Sequence, residues 1–264
     1  MTKIVGILNI TPDSFFDGGK YDEEKKALKQ LEVLLNCGAD VIDIGAESTR
    51  PNAEKVSCNQ EWLRLKNILP EAIKMVNNYN LINNKNIEIS LDSRNPDNVS
   101  KALNLGIDII NDVSGFEDVS MIALAAKSGK KIVLMHNLGV PADKNKVVDE
   151  ELDIVGVLID WAFCKMSLLK KHGVKKENII FDVGIGFGKN SSQSIKILQE
   201  VDRLRVVGIP LYVGHSNKSF LDGWEIEGCE SREDKTIYIS SSLISKNIEY
   251  LRVHDVESHV RITS

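Results

Sequence analysis

The sequence predicts an α/β fold, a single (β/α)8 TIM barrel with its active site at the C-terminal ends of the strands, and three observations predict it. Short β-branched runs alternate with longer stretches of helical period, eight such runs can be counted, and glycine closes helical stretches just before the next run. Such alternation marks βα units around a parallel sheet, and eight strands favour closure. A length of 264 residues suits one barrel, so residues 1–264 are expected to form one domain. A doubly wound open sheet would give the same alternation and differ only in closure.

The first run is Ile4–Asn9. Glu23–Asn36 follows, where Ala27, Leu28, Leu31, Leu34 and Leu35 have the 3–4 spacing of a helix buried on one face. Gly38 closes that helix ahead of the strand Val41–Gly45. Glu61–Val76 reads as a helix that Pro70 should kink or split, and Asn77–Asn86 as an Asn-rich polar loop. Ile87–Asp92, Ile107–Asp112 and Lys131–His136 are the next strands, with Gly106 and Gly129 closing the helices before the last two. Leu152–Lys171 is helical and ends at Gly173; Ile179–Asp182, Leu211–Gly214 and Tyr250–His254 complete the set.

Hydrophobic residues make up 42% and charged residues 27% of the chain, as in a globular protein with a sizeable core. A net charge of −5 with interspersed signs argues against nucleic acid or an anionic membrane as partner. No apolar stretch reaches spanning length and the N-terminus lacks a signal-peptide pattern. Cys37, Cys58, Cys164 and Cys229 form no C-x-x-C pair, which points to a reducing compartment, and a cytoplasmic location is expected.

Polar residues stand at the strand ends: Asn9, Asp43, Asp92, Asn111, Met135-His136, Asp182, Lys218, and Arg252 with His254. In a βα barrel these positions converge on one mouth. Any single one of them reads as a helix cap or turn former; eight together read as a pocket. Asp182, Asn111, Asp92 and Lys218 combine acceptors and donors suited to the edge of a flat heterocycle with amino, ring N–H and carbonyl groups. Thr49, Arg50, Arg252 and His254 are donors suited to an oxyanion or diphosphate. Together they suggest a heterocycle carrying a phosphate ester. Gly184-Ile-Gly-Phe-Gly-Lys189 lacks the Walker spacing and is read as a flexible loop. His172 and His259 are read as solvated, His215 either as a structural loop residue or as a group touching substrate, and Trp62, Trp161 and Trp224 as packing or interface residues.

Asn9-Ile-Thr-Pro-Asp13-Ser-Phe15, Gly45-Ala-Glu-Ser-Thr49-Arg50-Pro51, Asn111-Asp-Val, Met135-His136, Asp182-Val-Gly-Ile-Gly-Phe187-Gly-Lys189, Ser216-Asn-Lys218-Ser219 and Arg252-Val-His254-Asp-Val resemble, in order, the signatures of the dihydropteroate synthase family. The resemblance implies a transferase of folate biosynthesis that joins 6-hydroxymethyl-7,8-dihydropterin diphosphate to p-aminobenzoate by a dissociative substitution, releasing diphosphate. It places Asp92, Asn111, Met135, Asp182 and Lys218 around the pterin. It puts Thr49, Arg50, Arg252 and His254 at the diphosphate, and Phe15, Pro51, Phe187, Lys218 and Ser219 at p-aminobenzoate. Asn9 is implied as a ligand of Mg2+, an ion bound largely through substrate phosphates. Asp92, Asp13 and Lys218 are the expected catalytic residues, with Asp182 adding to the field that favours a cationic pterin. A homodimer is expected on the same ground.

Three positions depart from the family pattern: Asn217 stands for Arg, Val183 for Pro, and Ala46 for Gly. Asn217 removes a cationic fork beside the pocket. Two rival readings accompany the resemblance. One is a methyltetrahydrofolate-dependent corrinoid methyltransferase, against which the S-T-R-P and R-V-H-D-V anion motifs count. The other is a pterin-binding paralogue impaired in catalysis.

Overall fold

A computed structural model describes residues 1–10, 20–47, 56–143 and 145–263. Eight parallel strands form a closed barrel in sequence order: β1 (Lys3–Asn9), β2 (Val41–Gly45), β3 (Glu88–Asp92), β4 (Ile109–Asp112), β5 (Lys131–Met135), β6 (Ile179–Asp182), β7 (Leu211–Val213) and β8 (Tyr250–Val253). The pairings Lys3↔Tyr250 and Val5↔Arg252 join β8 to β1, and this closure excludes the open doubly wound sheet. Helices α1 (Lys20–Asn36), α2 (Cys58–Asn83), α3 (Pro96–Leu105), α4 (Val119–Ser128), α5 (Ile154–Lys171), α6 (Ser191–Gln199), α7 (Arg232–Ser245) and α8 (Val256–Thr263) alternate with the strands.

Strand side chains alternate between two faces, and the register carries one face round the barrel. Val5 pairs Val41, Asp43 pairs Ser90, Asp92 pairs Asn111, Met135 pairs Asp182, and Tyr212 pairs both Asp182 and Tyr250. Inside the barrel, Val5, Val41, Ile109, Val133, Ile180, Tyr212 and Tyr250 form one apolar cluster. Two residues further toward the mouth stand Ile7, Asp43, Asn111, Met135, Asp182, Gly214 and Arg252, four of them polar, so the interior turns from apolar to mainly polar within one step. The other strand face, including Ile42, Leu91, Leu134 and Phe181, packs in the larger core with helix residues such as Leu31, Leu34, Leu65, Leu69 and Leu158. Each fully buried Leu there contributes on the order of 2 kcal/mol. At the opposite end of β3, Glu88 accepts Lys3 Nζ of β1 at 2.8 Å and Lys131 Nζ of β5 at 2.6 Å.

Three expectations are corrected. Pro70 lies inside an unbroken α2, and residues 77–83 continue that helix. Burial of Leu65, Ile68, Leu69, Ala72, Ile73 and Val76 along one face outweighs the roughly 3 kcal/mol cost of an interior proline. The asparagines serve the end of the helix: Asn84 takes the left-handed cap conformation (φ 51°), and the Asn80 carboxamide exchanges two 2.9 Å bonds with the Ile87 backbone. His259, read as solvated, is buried; its Nδ1 donates to Asp255 O and its Nε2 accepts from Ser240 Oγ at 2.9 Å. Strand ends shift by one or two residues: His136, Gly214 and His254 fall just past β5, β7 and β8, while Ile87 and Ile107 precede β3 and β4.

Candidate active site

The mouth is organised around Asp43, which the sequence reading placed at a strand end without a role. Its side chain is fully buried. Oδ2 accepts Arg252 Nε at 2.7 Å, and both oxygens accept Asn111 Nδ2 at 3.2 Å. Arg252 NH2 reaches Asp92 Oδ2 at 3.1 Å. One guanidinium therefore ties β2, β3 and β8 together, and the register supplies the positions. Burial works against the charge on Arg252, but Asp43 and Asp92 more than restore it and its pKa is raised. Asp92 is pushed up to about 8 by burial and by the Asp43 charge, with Arg252 opposing.

Asn111 Oδ1 is buried without a hydrogen-bond partner among the described residues. Because Nδ2 is held by the Asp43 carboxylate, the carbonyl oxygen is the atom left to accept from a ligand N–H. One step below, the Tyr212 hydroxyl is likewise buried with no partner among the described residues. Burial raises the phenol's pKa well above its usual value, helped by the Asp43 charge.

On the other side of the mouth, Asp182 Oδ1 accepts Gly184 N–H at 2.8 Å. Its pKa is raised by burial, against the charge of Lys218 and the Gly184 bond. Lys218 donates to Ile185 O at 2.6 Å and lies 5.0 Å from the Phe187 ring centroid. Burial lowers it to about 8. The start of the segment after β6 is closely packed: Val183 and Ile185 are fully buried, and a Cβ on Gly184, at φ +62°, would stand 2.0 Å from His136 O. Lys189 turns inward instead of toward a phosphate, donating to His136 Nδ1, Gly184 O and Phe187 O, each at 2.9 Å. The sequence signal for it was a lysine ending a glycine run that fits no nucleotide fingerprint.

The expected pterin residues Asp92, Asn111, Met135, Asp182 and Lys218 thus share one mouth with Arg252. Asn9 stands at its rim, where Asn9 Oδ1 and Asp92 Oδ2 both lie 3.6 Å from the point a Gly45 Cβ would occupy. His254 is exposed past β8; its Nδ1 accepts from Ser216 Oγ at 2.9 Å, and its N–H donates back to that oxygen at 3.3 Å. Ser219 is exposed at the start of a short 3-10 turn, Ser219–Gly223. Asp13, Phe15, Thr49, Arg50 and Pro51 lie outside the described residues.

Two of the departures have local reasons. Val183 N–H donates to Tyr212 O at 3.3 Å, a bond proline cannot make. Asn217 has φ +59°, a conformation Asn tolerates well, and its carboxamide donates to Glu233. Ala46 is buried in the larger core, and nothing in the structure explains alanine in place of glycine there. Of the two readings of His215, the geometry favours the structural one: it is fully buried, and its Nε2 bonds Thr236 O at 3.2 Å and Ser240 Oγ at 3.0 Å.

Known proteins resemble this chain in sequence and in fold. The profile of the family described as pterin binding enzyme matches residues 5–254. The chain is 37% identical over 262 residues to a dihydropteroate synthase of Clostridium beijerinckii, covering 98% of this chain and 91% of that one. It is 34% identical to a probable bifunctional folylpolyglutamate synthase/dihydropteroate synthase of Haloferax volcanii, but spans about 30% of that protein's length. Among solved structures, the dihydropteroate synthase of Anaplasma phagocytophilum with bound 6-hydroxymethylpterin-monophosphate superposes with a TM-score of 0.86 at 37% identity, over 99% of this chain and 96% of that one. That of Xanthomonas albilineans with 4-aminobenzoic acid gives 0.85 at 28% identity, over 99% and 90%.

Proposed function

The chain belongs to the pterin binding enzyme family, and from that premise we propose that it is a dihydropteroate synthase. It joins 6-hydroxymethyl-7,8-dihydropterin diphosphate to p-aminobenzoate, giving 7,8-dihydropteroate and diphosphate. The observation that carries the reading is the buried, unpartnered Asn111 Oδ1 set among Asp43, Asp92, Asp182, Lys218 and Arg252. It is an acceptor awaiting a ring N–H, in a pocket where a wrong ring would leave buried polar groups unpaired.

In the reaction the methylene C–O bond breaks with its electron pair going to diphosphate, the arylamine lone pair forms the C–N bond, and the amine releases a proton. Asp182, Asn111 and Asp92 bind and orient the pterin. As positive charge grows on the ring, the carboxyl groups of Asp92 and Asp182 interact with it more strongly than with the neutral substrate, so the site responds to the transition state more than to the substrate. Lys218, between Ile185 O and the Phe187 ring, serves both substrates. By the resemblance, Arg252 and His254, with Thr49 and Arg50, would hold the leaving group, and Phe187, Ser219, Phe15 and Pro51 would serve p-aminobenzoate. Asp13 adds negative field. The arylamine is neutral at pH 7, so positioning takes the place of a strong base.

The donor set fits a Mg2+ ion held mainly by substrate. Asn9 offers a hard oxygen at the rim, and among the described residues no group of three or more His, Cys, Asp or Glu is arranged to hold a metal. Bound there through Asn9, the ion would neutralise charge on the diphosphate.

The proposal includes a homodimer, on the strength of the resemblance, and a cytoplasmic setting, supported by four unpaired cysteines. No described helix is long and apolar enough to cross a membrane. The test supplies dihydropterin diphosphate, p-aminobenzoate and Mg2+ and measures diphosphate release. Asp182→Asn should be slower by about 10²–10³. Release no faster than this variant, with pterin still binding in calorimetry, would leave a pterin-binding protein without turnover.

A further inference from the structure

Lys189 is a buried ammonium whose three donors meet three neutral acceptors: His136 Nδ1 past β5, and the carbonyls of Gly184 and Phe187. No carboxylate lies within ion-pair distance of it among the described residues. Such a cation is costly to bury, so its bonds must fix something that the fold or the site requires.

What they fix is the segment after β6. Gly184 and Gly188 press against the segment after β5 so closely that a Cβ would stand 2.0 Å from His136 O in one case and 2.5 Å from Leu138 Cγ in the other. The ammonium fills the middle of the resulting turn and binds both of its ends. The groups in between belong to the pocket: Gly184 N–H holds Asp182 Oδ1, Ile185 O holds Lys218 Nζ, and the Phe187 ring lies beneath that same ammonium.

Resting on the synthase reading above, we propose that Lys189 is a positioning residue of the active site, which acts through the 184–188 backbone to set Asp182 for the pterin and Lys218 with Phe187 for p-aminobenzoate. Lys189 itself touches neither substrate. Its charge is poised: burial lowers it to about 7, Asp182 favours the charged form and Lys218 opposes it. His136 is held neutral by burial and by Lys189, its pKa lowered to about 2. Loss of the Lys189 proton removes one of the three donors and loosens the turn.

The test uses the full chain. Lys189→Gln keeps a polar head, Lys189→Met keeps none, and Gly184→Ala displaces the same turn from the other side. Each is measured for thermal midpoint, for KM of both substrates and for calorimetric affinity toward 6-hydroxymethylpterin monophosphate. The expectation for folded Lys189→Gln is a rise of about tenfold in both KM values, with kcat also reduced and Gly184→Ala giving the same pattern. In wild type, pterin affinity and amide-exchange protection at 184–188 should fall together as the pH rises through neutrality, with the affinity change flattened in Lys189→Gln. KM values within twofold of wild type in a folded variant would make Lys189 a core staple only. If the variants fail to fold, wild-type amide-exchange protection at 184–188 that stays constant from pH 6 to 9, whatever the affinity does, overturns the proposal. Absence of any pterin binding by wild type would instead refute the synthase reading.

Discussion

At Tyr212 the phenol ring stacks on Tyr250 with centroids 6.0 Å apart, while its hydroxyl is buried with no partner among the described residues. An unsatisfied buried hydroxyl costs roughly 1–3 kcal/mol. Tyr212→Phe should therefore leave the ligand-free protein unchanged or raise its stability by about 1 kcal/mol, read from the urea midpoint at constant m-value. A clear loss of stability would mean that the hydroxyl has a partner in solution. Nearby, the same burial acts oppositely on opposite charges, pushing Asp92 up and Lys218 down so that both stand at about 8. Residue type alone announced a carboxylate and an ammonium; their actual protonation depends on Asp43 and on depth below the mouth, which no local sequence feature encodes.

At the scale of elements, a polar relay joins the segment after β7 to α7 and α8: His215 Nε2 bonds Ser240 Oγ, which bonds His259 Nε2, and His259 Nδ1 bonds Asp255 O. Burial is the largest influence on both rings, lowering His215 to about 4 and His259 in the same direction. The folded state then binds fewer protons than the unfolded chain below a pH of about 6.5, so stability is complete above that value and is lost as the pH falls toward 4. His215 alone accounts for on the order of 3 kcal/mol. Urea unfolding between pH 4 and 7.5 checks this, and His215→Asn should flatten the slope. The relay also explains why His259 escaped sequence reading. A histidine four residues after an aspartate near a chain end looks solvated until α7 packs over it. Pro70 taught the reverse: the local rule against interior proline was sound, but the apolar face of α2 outweighed it.

Across the whole molecule, closure is secured at the end opposite the site by Glu88, which draws Lys3 and Lys131 from two other strands into the barrel axis. Both lysines lower the Glu88 pKa against the burial that raises it. Glu88→Gln should destabilise by about 1–3 kcal/mol, seen as a lower thermal midpoint, with pterin affinity unchanged because the polar layer at the mouth is several residues away along each strand. A change in affinity without loss of stability would refute that separation. The sequence by itself determined the eight βα units, most element boundaries to within two residues, and the set of polar residues at the strand ends, because hydrophobic period and turn chemistry are local. Only the tertiary structure decided that the sheet closes, that Asp43 rather than any motif residue is the hub of the mouth, and that Lys189 points inward. Those outcomes depend on strand register and burial, which bring together groups as far apart in sequence as Asp43 and Arg252.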